Sequence, residues 1–425
     1  MIPGKDELLF LPLGGAGEIG MNLNLYGYAG KWLMLDLGIT FSDDTTPGID
    51  ILVPDPAWIA DRRKDLVGLV LTHAHEDHLG AVAYLWDQLR CPIWATPFAA
   101  SVLRRKLEEW DLVDEVKVHI YNAGDRWTIG PFDLEAIPLT HSIPEMQSIA
   151  IRTPVGMVLH TGDFKLDSDP LVGPVSDEAA LRRLGDEGIL ALVCDSTNVF
   201  NEGESGSEGA VRESLLKLCA GRKGRIAITT FASNVARIAT AAEVARQTGR
   251  EIALIGRSLL KMAEAAKEAG YLKDSPKFLT EYDIGYIPQD KVLLLCTGCQ
   301  GEPRGAMARI ANGDHPNVSL GRGDVVIFSA RIIPGNERKI ATMQNRLIED
   351  GIELITERDA FVHVSGHPAR DELARIYALT RPRIAVPVHG EARHIAEHAR
   401  YAKSLQVPQS VAVGNGQMPV SYTHL

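Results

Sequence analysis

The chain has 425 residues, 45% of them hydrophobic and 23% charged, and its formal net charge at pH 7 is −11. This length and apolar content are sufficient for two domain cores. No run of 18 apolar residues and no basic segment followed by a long apolar one occurs, so we expect neither membrane contact nor an export signal. Five scattered cysteines, an odd number, favour a reducing compartment and hence the cytoplasm.

The first predicted strand, residues 8–13, leads into the glycine-rich sequence GAGEIG at residues 15–20. That sequence matches the dinucleotide-binding pattern G-x-G-x-x-G, which requires a helix directly after it. Instead, residues 22–26 alternate polar and apolar side chains with period two, which predicts another strand. We therefore expect a hairpin-like turn here and no nucleotide cofactor.

The sequence HAHEDH begins at His73, after the apolar run 66–71 and Thr72, and also contains His75, Asp77 and His78. Imidazole nitrogens and carboxylate oxygens are donors that zinc accepts. In an extended segment His73 and His75 would point the same way, which leaves Asp77 and His78 for a second metal. The alternative is a polar loop that only starts a helix.

Three further candidates each stand at the end of a short apolar segment, where a buried strand passes into a loop. His141 follows residues 134–140, Asp163 follows residues 157–162 and His389 follows residues 384–388. Each alone could serve a structural role, but their similar placement favours one active site.

The interval between Asp163 and His389 contains a predicted α/β unit of its own, which starts after the polar segment 201–207. Its predicted elements are helix 210–219, strand 225–230, helix 234–247, strand 252–255, helix 258–269, strand 292–296, helix 305–311, strand 324–328 and helix 339–349. The CTGC sequence at residues 296–299 has no partner pair and predicts two packed thiols rather than a zinc or redox site.

The chain resembles the metallo-β-lactamase superfamily. The resemblance lies in its HxHxDH sequence, its Thr-Gly-Asp at residues 161–163 and its histidines at 141 and 389. The resemblance implies an αββα sandwich that binds two Zn²⁺ ions, for which Mn²⁺ or Mg²⁺ remain alternatives. Two ions about 3.5–4 Å apart would activate a water and stabilise the anion that develops during attack. The resemblance implies that one ion is held by His73, His75 and His141, that the other is held by Asp77, His78 and His389, and that Asp163 bridges them.

The predicted insert resembles the β-CASP domain of nucleic-acid-processing members, with Asp195 in its acidic motif and the sequence HVSGH at residues 363–367 as its histidine motif. The chain departs from the expected pattern at Cys299 and Arg331, where a serine is expected. The match extends to the ribonuclease J family through residues 14–20, 231–234, 297–303 and 333–337.

This resemblance implies a zinc-dependent ribonuclease of RNA decay and maturation, including rRNA and mRNA processing. It would act as a 5′-to-3′ exonuclease on single-stranded RNA with a 5′-monophosphate, and it would also cleave internally. An imidazole is suited to protonating the leaving oxygen, so His367 is the candidate acid. Asp77 and Asp195 are the other candidate catalytic residues. The candidate substrate-binding residues are Ala232, Ser233, Asn234, His363, Val364, Ser365, Gly366 and His367. A plain strand that ends in a glycine turn is the alternative for residues 363–367.

We expect a metallo-β-lactamase domain formed by residues 1–207 and a return segment at 360–425, with the β-CASP domain at 208–359. The chain is too short to include the family's small C-terminal domain, so we expect it to be truncated. Its residues 421–425 need not be native. Because that domain supports dimers in the family, any homodimer is expected to be weakened.

Charge is unevenly distributed along the chain. Residues 1–200 carry 15 basic and 30 acidic side chains, whereas residues 201–425 carry 29 and 25. The second half is therefore the part suited to a polyanion.

Two rival functions stay open from sequence alone. A small-molecule metallo-hydrolase acting on a lactam, lactone or thioester would use the same ligands, but it would not need the insert. A non-catalytic RNA-binding subunit would be expected to lack ligands, and all seven ligand positions are filled here.

Overall fold

The computed structural model describes residues 2–42 and 46–418, which form two compact units. The first unit comprises Met1–Ser168, Pro174–Ser205 and Gly366–Leu425, and the second comprises Asp169–Gly173 and Gly206–Ser365. The expected insert lies within the second unit, which also takes in residues 169–173 and continues a few residues beyond 359. Residues 421–425 lie outside the described part of the chain.

The strands and helices follow the chain in a mixed order. The strands are β1 (Leu9–Gly14), β2 (Ala16–Gly17), β3 (Leu23–Tyr28), β4 (Lys31–Leu35), β5 (Thr40–Phe41), β6 (Ile51–Leu52), β7 (Leu66–Val70), β8 (Ile93–Ala95), β9 (Val118–Ile120), β10 (Arg126–Ile129), β11 (Phe132–Pro138), β12 (Gln147–Thr153), β13 (Gly156–His160), β14 (Ala191–Asp195), β15 (Ile226–Thr229), β16 (Glu251–Ile255), β17 (Val292–Cys296), β18 (Val325–Phe328), β19 (Glu353–Ile355), β20 (Ile384–Val388), β21 (Gly390–Glu391) and β22 (Gln409–Ser410). The helices are α1 (Ala57–Ala60), α2 (Glu76–Leu79), α3 (Val82–Leu89), α4 (Pro97–Glu108), α5 (Glu178–Glu187), α6 (Glu208–Cys219), α7 (Val235–Gln247), α8 (Arg257–Glu268), α9 (Ala306–Ala311), α10 (Glu337–Glu349), α11 (Arg370–Thr380) and α12 (Ala392–Ser404), with 3₁₀ turns at Ile284–Tyr286 and Gln289–Lys291.

Two sheets form the core of the first unit. One has the strand order β1-β3-β4-β7-β8-β9 and the other β10-β11-β12-β13-β14-β20-β22. A shared apolar cluster joins them, with Phe10, Leu33 and Val70 from the first sheet and Ile149 and Val386 from the second. A second cluster packs the seven-stranded sheet against α5, α11 and α12, and α4 contacts β8 and β9. This is the αββα sandwich that the sequence predicts.

Parallel pairing brings several strand ends to one edge in each sheet. In the six-stranded sheet β4 and β7 run parallel, and in the seven-stranded sheet β13, β14 and β20 run parallel. Residues beyond the carboxyl ends of parallel neighbours lie side by side, and ligands commonly bind at such edges. The loops after these five strands therefore position the site described below.

The glycine-rich sequence forms the expected turn between two antiparallel strands, β1 and β3. A Cβ at Gly14 would lie 1.9 Å from the carbonyl oxygen of Met21, so only glycine fits where these strands meet. The strand predicted at residues 22–26 is confirmed, and it runs from Leu23 to Tyr28. Residues of β2, within the glycine-rich sequence, pair with β21.

The second unit is built on a parallel sheet with strand order β16-β17-β15-β18-β19. Every element predicted for the insert is confirmed, with bounds within two residues of the prediction, whereas β19 was not predicted. Strands of such sheets are buried on both faces and read as apolar runs, as Val292–Cys296 does. Because these apolar runs alternate with helical segments, the strands and helices of this unit could be predicted from the sequence.

All five cysteines are buried free thiols, and Cys296 lies in the core of the second unit, as expected of a packed thiol. Among the helices in the described ranges, none combines the length and the apolar character needed to cross a bilayer.

Candidate metal centre

The seven histidines and aspartates expected to bind metal all lie in the first unit and fall into two groups. They follow the carboxyl ends of β7, β11, β13 and β20 or lie in α2. Within each group the donor atoms lie within 4.8 Å of one another. The three-histidine group consists of His73, His75 and His141, and the mixed group consists of Asp77, His78, Asp163 and His389.

The three-histidine group has nearly the spacing of a zinc site. Nδ1 of His75 lies 3.1 Å from Nε2 of His73 and 3.0 Å from Nε2 of His141. Ligands at the usual distance from a tetrahedral zinc ion are roughly 3.4 Å from one another. Burial lowers the pKa of His75 to about 4 and holds the pKa of His73 and of His141 well below the ordinary value. The three imidazoles are therefore neutral near pH 7 and carry the lone pairs that a metal requires.

The mixed group has similar separations. Oδ2 of Asp163 lies 3.1 Å from Nε2 of His78 and 3.5 Å from Nε2 of His389. Oδ2 of Asp77 lies 3.5 Å from Nε2 of His78 and 3.6 Å from Nε2 of His389. Asp163 is also within 4.8 Å of a ring nitrogen of His141, so its carboxylate lies near both groups.

Charge balance favours a cation in the mixed group. Burial by itself would lower the pKa of His78, but the carboxylates of Asp163, Asp77 and Asp36 raise it well above the ordinary value. Burial would likewise raise the pKa of Asp163, but His389 and His78 hold it well below the ordinary value. Ionised carboxylates in a buried site need a positive partner, and this His/Asp donor set suits a metal ion such as zinc.

Asp36, which was not predicted from the sequence, orients the ring of His78 through its Nδ1 atom. Its Oδ2 lies 2.8 Å from Nδ1 of His78, and its carboxylate accepts hydrogen bonds from the backbone N–H and the hydroxyl of Thr72 at 2.7 and 2.8 Å. A carboxylate on one ring nitrogen fixes the tautomer that presents the other nitrogen to a metal. The available signal was a lone acidic residue directly after the apolar strand β4.

We expect Asp36→Ala to weaken zinc binding by about 10- to 100-fold, because His78 would lose the partner that sets its ring orientation. A competition titration against a zinc chelator measures this change. Asp65→Ala, which removes an exposed carboxylate of the same unit, is the matched control. Unchanged zinc affinity in a folded Asp36→Ala protein would contradict the orienting role.

The glycine-rich sequence and its neighbour Asn22 support His389. Nδ1 of His389 lies 3.1 Å from Oδ1 of Asn22, whose amide donates to the carbonyl of Asp77 at 2.9 Å. The backbone N–H of His389 donates to the carbonyl of Gly15 at 2.6 Å. His389 has a φ of +52°, which is uncommon for any residue but glycine. A sequence that superficially matches a nucleotide-binding loop thus positions an expected metal ligand.

His367 lies beside the mixed group. Its Nδ1 is 2.7 Å from Oδ2 of Asp195 and 3.9 Å from Oδ2 of Asp163. Burial alone would lower the pKa of His367, but the charge and hydrogen bond of Asp195, with help from Asp163, raise it to about 9. A protonated imidazole can donate its proton to a leaving oxygen. Donor atoms of His141, Asp163 and His367 also lie within 4.8 Å of one another, so His367 is within reach of the expected metal ligands.

Gly366 was expected to bind substrate, and the structure gives it a further contact in the first unit. Its carbonyl accepts a hydrogen bond from Nδ1 of His141 at 2.6 Å. A Cβ at this position would lie 2.7 Å from Cε1 of His141. Glycine therefore lets the backbone approach His141 closely enough to orient its ring.

The other expected substrate-binding residues lie in two segments of the second unit, 232–234 and 363–365. Asn234 caps α7 and accepts a hydrogen bond from the N–H of Arg237 at 2.9 Å. The buried guanidinium of Arg237 donates to the carbonyl of Val362 at 2.9 Å, next to the second segment. Arg237 thus links the two segments, although nothing in the sequence marks it as a buried arginine. Of the expected residues, Asn234 and Val364 are buried, and Ala232, Ser233, His363 and Ser365 are partly exposed.

Comparison with protein families agrees with this arrangement. The family model described as the metallo-beta-lactamase superfamily matches residues 22–218. The model for the ribonuclease J beta-CASP domain matches residues 223–347, and the model for the Zn-dependent metallo-hydrolase RNA specificity domain matches residues 351–411. The three matches follow one another along the chain.

Individual proteins are similar over nearly the whole chain. Ribonuclease J of Sinorhizobium meliloti is 48% identical over 417 residues, which are 97% of this chain and 74% of that protein. Ribonuclease J 1 of Streptococcus pyogenes is 40% identical over 95% of this chain and 72% of its own length. A crystal structure of a protein of unknown function from Enterococcus faecalis aligns with a TM-score of 0.66 at 15% identity, covering 97% of this chain and 99% of that one, which shows a shared fold alone.

Proposed function

Because this chain belongs to the ribonuclease J family and is a metal-dependent ribonuclease, we propose that it degrades single-stranded RNA from the 5′ end and also cleaves RNA internally. The observation that carries the proposal is His367, whose Nδ1 lies 2.7 Å from Oδ2 of Asp195 beside a His/Asp cluster that could hold metal ions. Family membership excludes the small-molecule metallo-hydrolase, which would not need the second unit. RNA decay and maturation, including rRNA and mRNA processing, are the setting we propose.

We infer that the site binds two zinc ions. His73, His75 and His141 would hold one ion, Asp77, His78 and His389 would hold the other, and Asp163 would bridge them. The imidazole-only donor set of the three-histidine group supports zinc over Mg²⁺, which prefers oxygen ligands. Mn²⁺ is an acceptable substitute in the mixed group, which offers two carboxylates. Elemental analysis of the purified protein should find two zinc ions per chain.

When bound, the metals supply polarisation of the phosphodiester and a water activated for attack. His367 would then protonate the leaving 3′-oxygen, using the proton that Asp195 and Asp163 help it to retain. Asp195 is proposed as a positioning residue, because its carboxylate reaches Nδ1 of His367 and the N–H of Thr197. Proton donation would therefore come from Nε2 of His367.

We propose that residues 232–234 and 363–366 bind the 5′-terminal nucleotide. The hydroxyls of Ser233 and Ser365 and the N–H of Gly366 would donate hydrogen bonds to a 5′-monophosphate. The additional phosphates of a 5′-triphosphate would lack partners among these residues. The backbone of His363 and Val364 would contact the same nucleotide.

RNA with a 5′-monophosphate should be degraded faster than matched RNA with a 5′-triphosphate or a 5′-hydroxyl, with mononucleotides as products. Ser365→Ala should reduce this preference by about ten-fold, the effect of one charge-assisted hydrogen bond, and should leave internal cleavage less affected. Initial rates on three 3′-labelled RNAs that differ only at the 5′ end measure both effects.

The matched control is Ser319→Ala, since Ser319 is an exposed serine of the same unit. Equal rates on all three RNAs, or products shortened only from the 3′ end, would remove the end-sensing pocket. That result would leave the metal-dependent hydrolysis in place.

A further inference from the structure

A cavity of about 440 Å³ lies within the second unit and involves none of the residues assigned to catalysis. It is open to solvent on one side and is lined by α6, α7, the segment that follows α8, and residues 171–173. This volume is in the range of sites for small molecules. The cavity can therefore be considered as a binding site separate from the metal centre.

Three cations, Arg212, Arg246 and Lys273, and two carboxylates, Glu243 and Asp274, line the cavity. The Nε of Arg212 is buried and has no hydrogen-bond acceptor among the described residues, and an unpaired buried donor is costly unless a ligand satisfies it. The guanidinium of Arg246 is two-thirds exposed and donates two hydrogen bonds to Glu243, at 2.8 and 2.6 Å, so its charge is already paired. Guanidinium and ammonium groups recognise phosphate, which leaves Arg212 and Lys273 as the candidates for binding one.

The rest of the lining is suited to a flat, partly apolar group. Tyr271 offers an aromatic ring, and Ala239 and Ala242 on α7 leave room for close approach. Aromatic rings are common stacking partners for nucleic-acid bases. Phosphate-binding cations and a base-stacking surface therefore line the same cavity.

Backbone conformation also marks the two loops that border the cavity. Leu171 has a φ of +67° and Leu272 a φ of +56°, and both line it. Bulky residues rarely adopt this left-handed conformation, and such strain is found at ligand-binding loops. Strain on both loops is a feature independent of the charges.

We propose that this cavity is a second, non-catalytic nucleotide site, which binds a phosphate through Arg212 and Lys273 and a base against Tyr271. The nucleotide is either a free mononucleotide or one residue of an RNA strand, since both present this chemistry. The proposal concerns binding in the second unit and does not depend on the direction of RNA degradation.

Equilibrium dialysis of the zinc-loaded protein with labelled AMP tests the site. Lys273→Ala and Arg212→Ala should each weaken AMP binding by roughly ten-fold or more. Lys273 is exposed, so its variant provides the test even if Arg212→Ala fails to fold. Arg338→Ala, at an exposed position on α10, is the control and should leave AMP binding unchanged. Adenosine and inorganic phosphate should each bind more weakly than AMP.

A pentanucleotide with hydrolysis-resistant phosphorothioate linkages distinguishes the two sources. If it displaces AMP and its own binding is weakened by Lys273→Ala, the site takes a nucleotide of an RNA strand. If it does not displace AMP, the site takes a free mononucleotide. AMP binding that is lost in His367→Ala but retained in Lys273→Ala would overturn the proposal, because the nucleotide would then occupy the metal centre. Absence of AMP binding, or binding of an acidic peptide in its place, would also overturn it.

Discussion

Asp163→Ala is expected to abolish RNA cleavage, with a loss on the order of a thousand-fold or more in single-turnover rate. The carboxylate of Asp163 is buried and lies 3.1 Å from Nε2 of His78 and 3.5 Å from Nε2 of His389. Alanine removes the only one of the proposed ligands assigned to both metals, and a neutral water in its place would not supply the negative charge of the carboxylate. His78→Ala should have a comparable effect.

The measurement is the cleavage rate of end-labelled RNA, together with zinc content by elemental analysis. Asp133→Ala, at an exposed position on β11 of the same unit, should cleave RNA and bind zinc like the unmodified protein. A folded Asp163→Ala preparation that cut RNA at a near-normal rate, with contaminating enzyme excluded, would show that the metal assignment is wrong.

His367→Ala is expected to reduce the rate of cleavage by about 10²- to 10⁴-fold while zinc content stays unchanged, because we place His367 outside the metal ligands and on the side of the leaving oxygen. Asp195→Asn should lower the rate less, because the asparagine side chain still offers an oxygen to Nδ1 of His367. Zinc content of each variant separates proton donation from metal binding.

A substrate with a 3′-bridging sulfur gives a sharper readout. A thiolate leaves without a proton, so the deficit of His367→Ala should largely disappear on this substrate if His367 is the acid. The deficit should persist in Asp163→Ala. Loss of zinc from His367→Ala would instead place this histidine among the ligands, as its nearness to His141 and Asp163 allows.

Much of the first unit's site follows from one pattern, a polar residue after an apolar strand. That pattern selected His141, Asp163 and His389, and the structure brings their donor atoms together with those of the HAHEDH sequence. Asp36 shows the same pattern, but nothing in the sequence distinguishes it from the many other acidic residues. Its contact with His78 arises because β4 pairs with β7, and strand order is a long-range property that no local pattern contains.

Arg237 illustrates a different limit. A helical arginine is usually exposed, so the sequence offered no reason to bury it. Its burial depends on carbonyls and a carboxylate from distant parts of the second unit, including Val362 and Glu208. The helix itself was predictable because apolar periodicity is local, whereas the partners of its polar side chains are fixed by tertiary packing.

The left-handed backbone at His389 limits how this position can change over evolution. A replacement must tolerate a positive φ and must also offer a metal-binding atom. Besides histidine, asparagine and aspartate are the residues most often found in that conformation, and aspartate supplies an anionic ligand. A lineage that exchanged this imidazole could therefore do so most readily for aspartate, while cysteine or glutamate would be less favoured in this conformation.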